Sequence, residues 1–149
     1  MRLLVHGPPQ LGKSIIASQR LAAYLIGCDP TTRVALACYN ETHAKNFGSV
    51  IKNILLSDEH KEMFPDIKGW LSRNEPTGKF SVPAREAMGD AQASFIALGL
   101  GSGFTGKGAD HLLIDDPYKS PEEADSEVIN GRTWSWYKDQ AEAVSYTHL

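Results

Sequence analysis

The first half of the chain alternates short apolar runs with longer segments in which apolar residues recur at helical spacing. Residues 2–6 and 33–38 are apolar runs of the length expected for buried strands. Between them, apolar residues recur every three or four positions from Ile15 to Ile26, which predicts a helix that ends near Gly27. A second helical stripe, with a capping residue in front, covers residues 42–56. This order of strand, helix, strand, helix predicts parallel βαβ units in an α/β fold.

In the second half of the chain the apolar segments are shorter and are separated by longer polar stretches. Residues 57–78 are polar and interrupted by Pro and Gly, with Phe64 and Trp70 expected to anchor them to the core. Residues 80–82 and 93–98 are predicted as short strands around a turn near Gly89 and Asp90. Five glycines then fall within residues 99–108. They indicate either tight turns and a backbone close to a ligand, or a plain flexible loop.

Length, charge and composition limit the classes of protein. At 149 residues the chain has room for one domain, and its net charge of −3 provides no overall basic field for nucleic acid. No apolar run has the length of a membrane span, so we expect a cytoplasmic protein without a membrane partner. Cys28 and Cys38 lack metal-ligand spacing and are predicted to be small buried hydrophobic residues. The five histidines are scattered without ligand spacing, so they predict no metal site of their own.

The stretch GPPQLGKS fits the phosphate-binding pattern G-x-x-x-x-G-K-[ST]. It lies between a predicted strand and a predicted helix, where backbone N–H groups and a helix N-terminus can face phosphates. Lys13 would reach the outer phosphates, and the Ser14 hydroxyl would bind Mg²⁺. The predicted nucleotide-binding residues are Gly7, Pro8, Pro9, Gln10, Leu11, Gly12, Lys13 and Ser14.

A second candidate element is the run HLLIDDP at residues 111–117. Three aliphatic residues followed by two acids are typical of a buried strand that delivers carboxylates to the carboxyl edge of a parallel sheet. Asp115 would hold Mg²⁺, and Asp116 would position the water that attacks the γ-phosphate. Asp116 and Lys13 are therefore the predicted catalytic residues, and Ser14 and Asp115 the predicted metal ligands. The second acid favours an ATPase over a nucleotide kinase, because a kinase activates a substrate hydroxyl.

Taken together, these motifs resemble the N-terminal ATPase domain of the large subunit of phage terminase, the DNA-packaging motor. The resemblance rests on PPQLGKS, ACYNETHAKNFGSVIKNIL, GSGFTGKGADHLLIDDPYKSPEEADS and TWSWYKD, in that order. It implies an additional-strand P-loop NTPase fold, with a mostly parallel sheet flanked by helices. It also implies ATP and Mg²⁺ as cofactors, double-stranded viral DNA, the terminase small subunit and the portal protein as partners, and a ring of identical subunits.

The chain departs from this family in three respects. The phosphate loop carries no arginine, which often serves the family as a charge-stabilising finger. The coupling motif that normally follows the acidic pair is not recognisable before Leu149, and we expect the nuclease domain to be absent. We therefore interpret residues 1–149 as a partial P-loop ATPase domain, incomplete at both ends. A DNA-stimulated ATPase or helicase of the same superfamily, and a nucleotide-binding but inactive fragment, remain alternatives. Trp134, Trp136 and Tyr137 are predicted to be packing residues, although a base-stacking platform for DNA is the other interpretation.

Overall fold

The computed structural model describes residues 3–8, 10–65, 71–86, 92–103 and 108–145, with only the backbone described for residues 86 and 140–145. A π-helical segment, Ile15–Arg20, continues directly into a regular helix. The helices are α1 Leu21–Cys28, α2 Glu41–Leu56, α3 Asp58–Met63, α4 Pro83–Glu86, α5 Pro121–Asp125 and α6 Glu127–Ser145. The strands are β1 Val34–Cys38, β2 Lys79–Phe80, β3 Phe95–Gly99 and β4 His111–Ile114.

The four strands form one sheet in the order β2-β3-β1-β4. Strand β1 pairs in parallel with β3 and β4, so that Val34 faces both Phe95 and His111, whereas β2 runs antiparallel to β3. Because β1, β3 and β4 are parallel, their carboxyl ends lie at one edge of the sheet. The mostly parallel α/β sheet predicted from the sequence is confirmed, and β4 is its terminal strand among the described residues.

Helices cover both faces of the sheet. On one face, side chains of α1 and α2 pack with Val34, Leu36 and Cys38 of β1. On the other, Ala35 and Ala37 of β1 join Leu98, Ala109 and Trp136. Successive side chains of a strand point to opposite faces, so the side chains of β1 are buried on both faces of the sheet. A strand buried on both faces explains why residues 33–38 are apolar without alternation.

The predicted strand at residues 2–6 is wrong over the part that the structure describes. Residues 3–8 have no regular secondary structure, and the side chains of Leu3 and Leu4 are 73% and 80% exposed. A strand is stable only when a neighbouring strand satisfies its backbone hydrogen bonds. Both edges of β1 are taken by β3 and β4, and residues 3–8 do not pair with the outer edge of β4, so this segment lacks the neighbouring strand that it would need.

The other predicted elements agree more closely with the structure. The side chain of Asn40 accepts a hydrogen bond from the backbone of His43 and so caps α2, as its pattern predicted. Phe64 anchors the region after α3 through ring contacts with Tyr24 and His60. Trp70 and the predicted turn near Gly89 lie outside the described residues. In the described part of the chain, no helix is long and apolar enough to cross a membrane.

Gly48 lies in the middle of α2, where a glycine would ordinarily weaken a helix. A Cβ at this position would lie 1.9 Å from the carbonyl oxygen of Thr77 and 2.9 Å from the Phe95 ring. The missing side chain therefore allows the segment before β2 to lie directly against α2. We expect Gly48→Ala to lower the free energy of unfolding by about 1–2 kcal/mol, because overpacking outweighs the gain in helix propensity.

Gly131 on α6 is the matched control for this substitution. A Cβ there would meet no atom within 4 Å, so Gly131→Ala should raise the free energy of unfolding by up to about 1 kcal/mol. Urea unfolding of both variants measures the difference. A Gly48→Ala protein as stable as Gly131→Ala would contradict the packing argument.

Candidate functional site

The predicted phosphate loop is a compact turn at the start of the first helical segment. Gln10 and Gly12 have φ angles of 63° and 74°, in the left-handed region that only glycine adopts without cost. The N–H of Ile16 donates to the carbonyl of Gly12 at 3.0 Å, so helical hydrogen bonding begins directly at the loop. Pro9 lies outside the described residues, and Leu11 is 67% exposed at the tip of the loop.

The Lys13 side chain folds back over this loop. Its ammonium donates hydrogen bonds to the carbonyl oxygens of Gly7 and Pro8 at 2.6 and 2.9 Å. These carbonyl oxygens carry partial negative charge. The oxygens of a bound anion can replace them as acceptors of the Lys13 hydrogen bonds. The positive charge of Lys13 therefore lies within the loop, where a phosphate group is expected to bind.

Ser14 and Asp115 are brought together although they are far apart in the sequence. The Ser14 hydroxyl donates to Asp115 Oδ1 at 3.2 Å, while Asp115 Oδ2 is buried and has no hydrogen-bond partner in the described part of the chain. Buried polar atoms are almost always satisfied, so an unpartnered carboxylate oxygen needs an explanation. A hydroxyl and a carboxylate side by side are ligands that Mg²⁺ prefers.

The carboxylates reach this position because β4 ends at the carboxyl edge of the sheet. The N–H of Asp115 donates to the carbonyl of Ala37 at 2.9 Å, and the N–H of Tyr39 donates to the carbonyl of Asp116 at 3.1 Å. These bonds extend the pairing of β1 and β4 past the last residue of the strand. Asp116 then turns out of the sheet with a φ of 52°, and its side chain is exposed.

Cys38 is a member of this cluster that the sequence interpretation missed. It ends β1, is fully buried, and lies within the electrostatic influence of both carboxylates. Burial is the main cause that raises the pKa of its thiol to about 12, and the charges of Asp115 and Asp116 act in the same direction. The parallel register of β1 and β4 is the signal that could have placed Cys38 next to these acids. Cys28, in contrast, is exposed, so its predicted burial is wrong, because it occupies the last, solvent-facing position of α1.

The two cysteines should differ in reactivity. At about pH 8, where an ordinary thiol is partly ionised, a disulfide reagent should modify Cys28 in the folded protein and leave Cys38 unmodified.

The raised pKa of Cys38 also predicts that the protein loses stability above about pH 9, because the thiol ionises first in the unfolded chain. The loss should continue until the thiol of the folded protein ionises near pH 12. Thiol counting and alkaline denaturation of Cys38→Ala and Cys28→Ala test this. Equal modification of both thiols in the folded state would contradict it.

The glycine-rich segment after β3 lies at the same edge of the sheet. Residues 99–102 form a tight turn in which both the N–H and the hydroxyl of Ser102 donate to the carbonyl of Gly99. The turn interpretation is thus confirmed for this part, and residues 104–107 lie outside the described residues. Trp136 of α6 donates from its indole N–H to the carbonyl of Ser102 at 3.0 Å. This bond holds α6 against the edge that carries the carboxylates.

The aromatic residues of α6 divide into two groups. Trp136 is buried and packs against the sheet, which confirms the packing interpretation for this residue. Trp134 is 57% exposed, with its ring stacked on Tyr137 at a centroid distance of 5.3 Å. The described residues contain no group of three or more His, Cys, Asp or Glu side chains arranged to hold a metal ion.

Comparison with known proteins identifies the family. A search of curated proteins gave no match. The family model described as the N-terminal part of the terminase large subunit, T4likevirus-type, matches residues 4–148. This match covers nearly the whole chain, including the predicted phosphate loop, the carboxylate pair and all of α6. The chain therefore belongs to the family of terminase large subunits, within their N-terminal region.

Proposed function

We propose that this chain is a P-loop ATPase domain that binds MgATP and, in the intact terminase, hydrolyses it to drive viral DNA into a procapsid. The observation that carries this proposal is the pairing of Ser14 Oγ with Asp115 Oδ1, next to the buried and unpartnered Asp115 Oδ2. Two oxygen ligands from distant parts of the chain meet beside a loop of phosphate-binding sequence. A turn without a ligand-binding role would not require the Ser14 hydroxyl and the Asp115 carboxylate to lie side by side.

The residues present fit a magnesium nucleotide. Ser14 and Asp115 would hold the ion, directly or through water, while the remaining ligands come from phosphate oxygens and solvent, as is usual for Mg²⁺. When bound, the ion neutralises charge on the β- and γ-phosphate oxygens. The lack of a larger protein ligand cluster in the described residues agrees with this arrangement.

Each remaining side chain of the site then has a defined task. Lys13 exchanges its bonds to Gly7 and Pro8 for bonds to phosphate oxygens and stabilises the charge there. The exposed carboxylate of Asp116 accepts a hydrogen bond from a water molecule and orients it toward the γ-phosphorus. The loop offers no arginine, so hydrolysis should be slow, since such a charge accelerates related reactions about 10³–10⁵-fold.

Family membership supports a role in DNA packaging, and the proposed partners follow from it. They are double-stranded viral DNA, the terminase small subunit, the portal protein and further copies of this subunit in a ring. We propose the host cytoplasm as the location.

A nucleotide titration tests the proposal. The purified chain should bind ATP weakly when Mg²⁺ is present and more weakly when a chelator removes it, as measured by calorimetry. Sensitive measurement of released phosphate should then detect slow hydrolysis. Binding without release would favour the inactive nucleotide-binding alternative, and no saturable binding would refute the site.

A further inference from the structure

A polar cavity lies away from the carboxyl edge of the sheet, between the carboxyl-terminal half of α2 and the loop that precedes β2. Its volume is about 380 Å³, and its lining consists of Ser49, Lys52, Asn53, Leu56, Ser57 and Arg73. Helix α2 starts at the carboxyl edge of the sheet, and Lys52 is about three turns further along, roughly 18 Å at 1.5 Å per residue. The cavity is therefore separate from Lys13 and Asp115.

The charge at this cavity is unusual because a lysine is buried without a carboxylate. Lys52 is only 9% exposed, and its ammonium donates to the carbonyl oxygens of Arg73 and Glu75 at 3.1 and 2.7 Å. No carboxylate in the described part of the chain forms an ion pair with it. A buried charge is costly unless it is paired, and two neutral carbonyls compensate it only in part.

The rest of the lining adds a second positive charge and several neutral polar groups. Arg73, the other charged residue at the cavity, is also a cation, and it is exposed at the rim. Asn53, Ser49 and Ser57 add amide and hydroxyl groups. An ammonium has three donors, and the described residues provide acceptors for two of those of Lys52. The cavity thus combines two positive charges with neutral polar groups that can donate hydrogen bonds, in a chain whose net charge is −3.

We propose that this cavity is a phosphate-binding site, in which Lys52 and Arg73 hold one phosphate group. A tetrahedral oxyanion supplies the missing acceptor for Lys52 and a bidentate partner for the Arg73 guanidinium. The described lining includes no aromatic side chain, so the cavity recognises the phosphate and not a base. The source is either free phosphate or a phosphate of a nucleic-acid backbone, and the experiment separates the two.

The test is a phosphate titration of the Lys13→Ala protein, followed through its backbone amide resonances by NMR. This background removes phosphate binding by the loop, so the outcome does not depend on the proposed ATPase function. Inorganic phosphate should shift the amides of residues 49–57 and 72–75 in a saturable manner. Adding Arg73→Ala should weaken this binding about tenfold, because one charge-assisted contact is lost. Arg132→Ala, which removes an exposed arginine on α6, should change nothing.

Further variants and a DNA duplex complete the test. Lys52→Gln retains an N–H donor but removes the charge, and it should abolish the response. If that variant fails to fold, Arg73→Ala alone decides, since the Arg73 side chain is exposed. A short duplex that shifts the same amides and competes with inorganic phosphate identifies a nucleic-acid backbone as the source, whereas a response to inorganic phosphate alone identifies free phosphate. No saturable shift with either probe, or equal weakening by Arg73→Ala and Arg132→Ala, would overturn the proposal.

Discussion

Lys13→Ala should weaken binding of MgATP by at least about 100-fold. Each charge-assisted hydrogen bond from the ammonium to a phosphate oxygen contributes about 1.5–3 kcal/mol, and two such bonds are expected. The contribution of these bonds to ATP binding is reduced in the wild-type protein, because the Lys13 ammonium must first leave the carbonyl oxygens of Gly7 and Pro8. Calorimetric titration with ATP and Mg²⁺ measures the change.

Lys138→Ala is the control for the loss of one positive charge. Lys138 is exposed on α6, so its removal should leave the affinity unchanged. Thermal unfolding must show that the Lys13→Ala protein is folded, since the substitution also removes two hydrogen bonds within the loop. An unchanged affinity for MgATP in a folded Lys13→Ala protein would contradict the assignment of residues 7–14 as a phosphate-binding loop.

Asp116→Asn should reduce ATP hydrolysis about 10²–10⁴-fold and leave MgATP binding near its normal value, as expected when a general base or water-positioning group is lost. The substitution is well matched to the structure. Asp116 has a φ of 52°, and asparagine tolerates the left-handed region as aspartate does. The backbone is therefore conserved, and the effect reports the carboxylate charge. Single-turnover release of labelled phosphate gives the rate even if it is slow.

Asp115→Asn is the contrasting variant. It replaces the buried oxygen without a partner by an amide, so the dependence of ATP binding on Mg²⁺ should be lost. The two variants together separate metal binding from water positioning. Should Asp115→Asn retain turnover while Asp116→Asn loses its response to Mg²⁺, the two roles would have to be exchanged.

The parts of the fold that the sequence predicts are those determined by local periodicity and by the rules of parallel sheets. The apolar run at residues 33–38 is a buried strand, and the stripe at residues 42–56 is a helix. Ser14 lies beside Asp115 although the segment before its loop is not a strand of the sheet. The position of Asp115 itself follows from one general rule, that residues at the ends of parallel strands lie at the carboxyl edge of the sheet. This rule requires only the order of strands and helices, which the sequence supplies.

The errors have a common physical origin, since they concern properties that depend on partners elsewhere in the chain. Residues 2–6 have the composition of a strand, but composition does not show whether a segment pairs with a neighbouring strand. The π-helical turn at Ile15–Arg20 has apolar spacing that an α-helix also accommodates. The helical stripe at residues 42–56 does not show that Lys52 is buried, because its two acceptors are carbonyls of a distant loop. The pKa of the Cys38 thiol is raised mainly by burial in the core and further by the acids that follow another strand, and neither cause is visible in the local sequence.

The terminal position of β4 has a practical consequence for these experiments. In the part of the chain that the structure describes, β4 has a neighbouring strand on one side only, so its outer edge carries backbone donors and acceptors that can pair with another molecule. Leu3 and Leu4 add exposed apolar surface to the same protein. Self-association by edge pairing would increase with concentration and could be mistaken for assembly into a functional ring. Binding and turnover should therefore be measured over a dilution series, and only values that do not change with dilution describe the individual subunit.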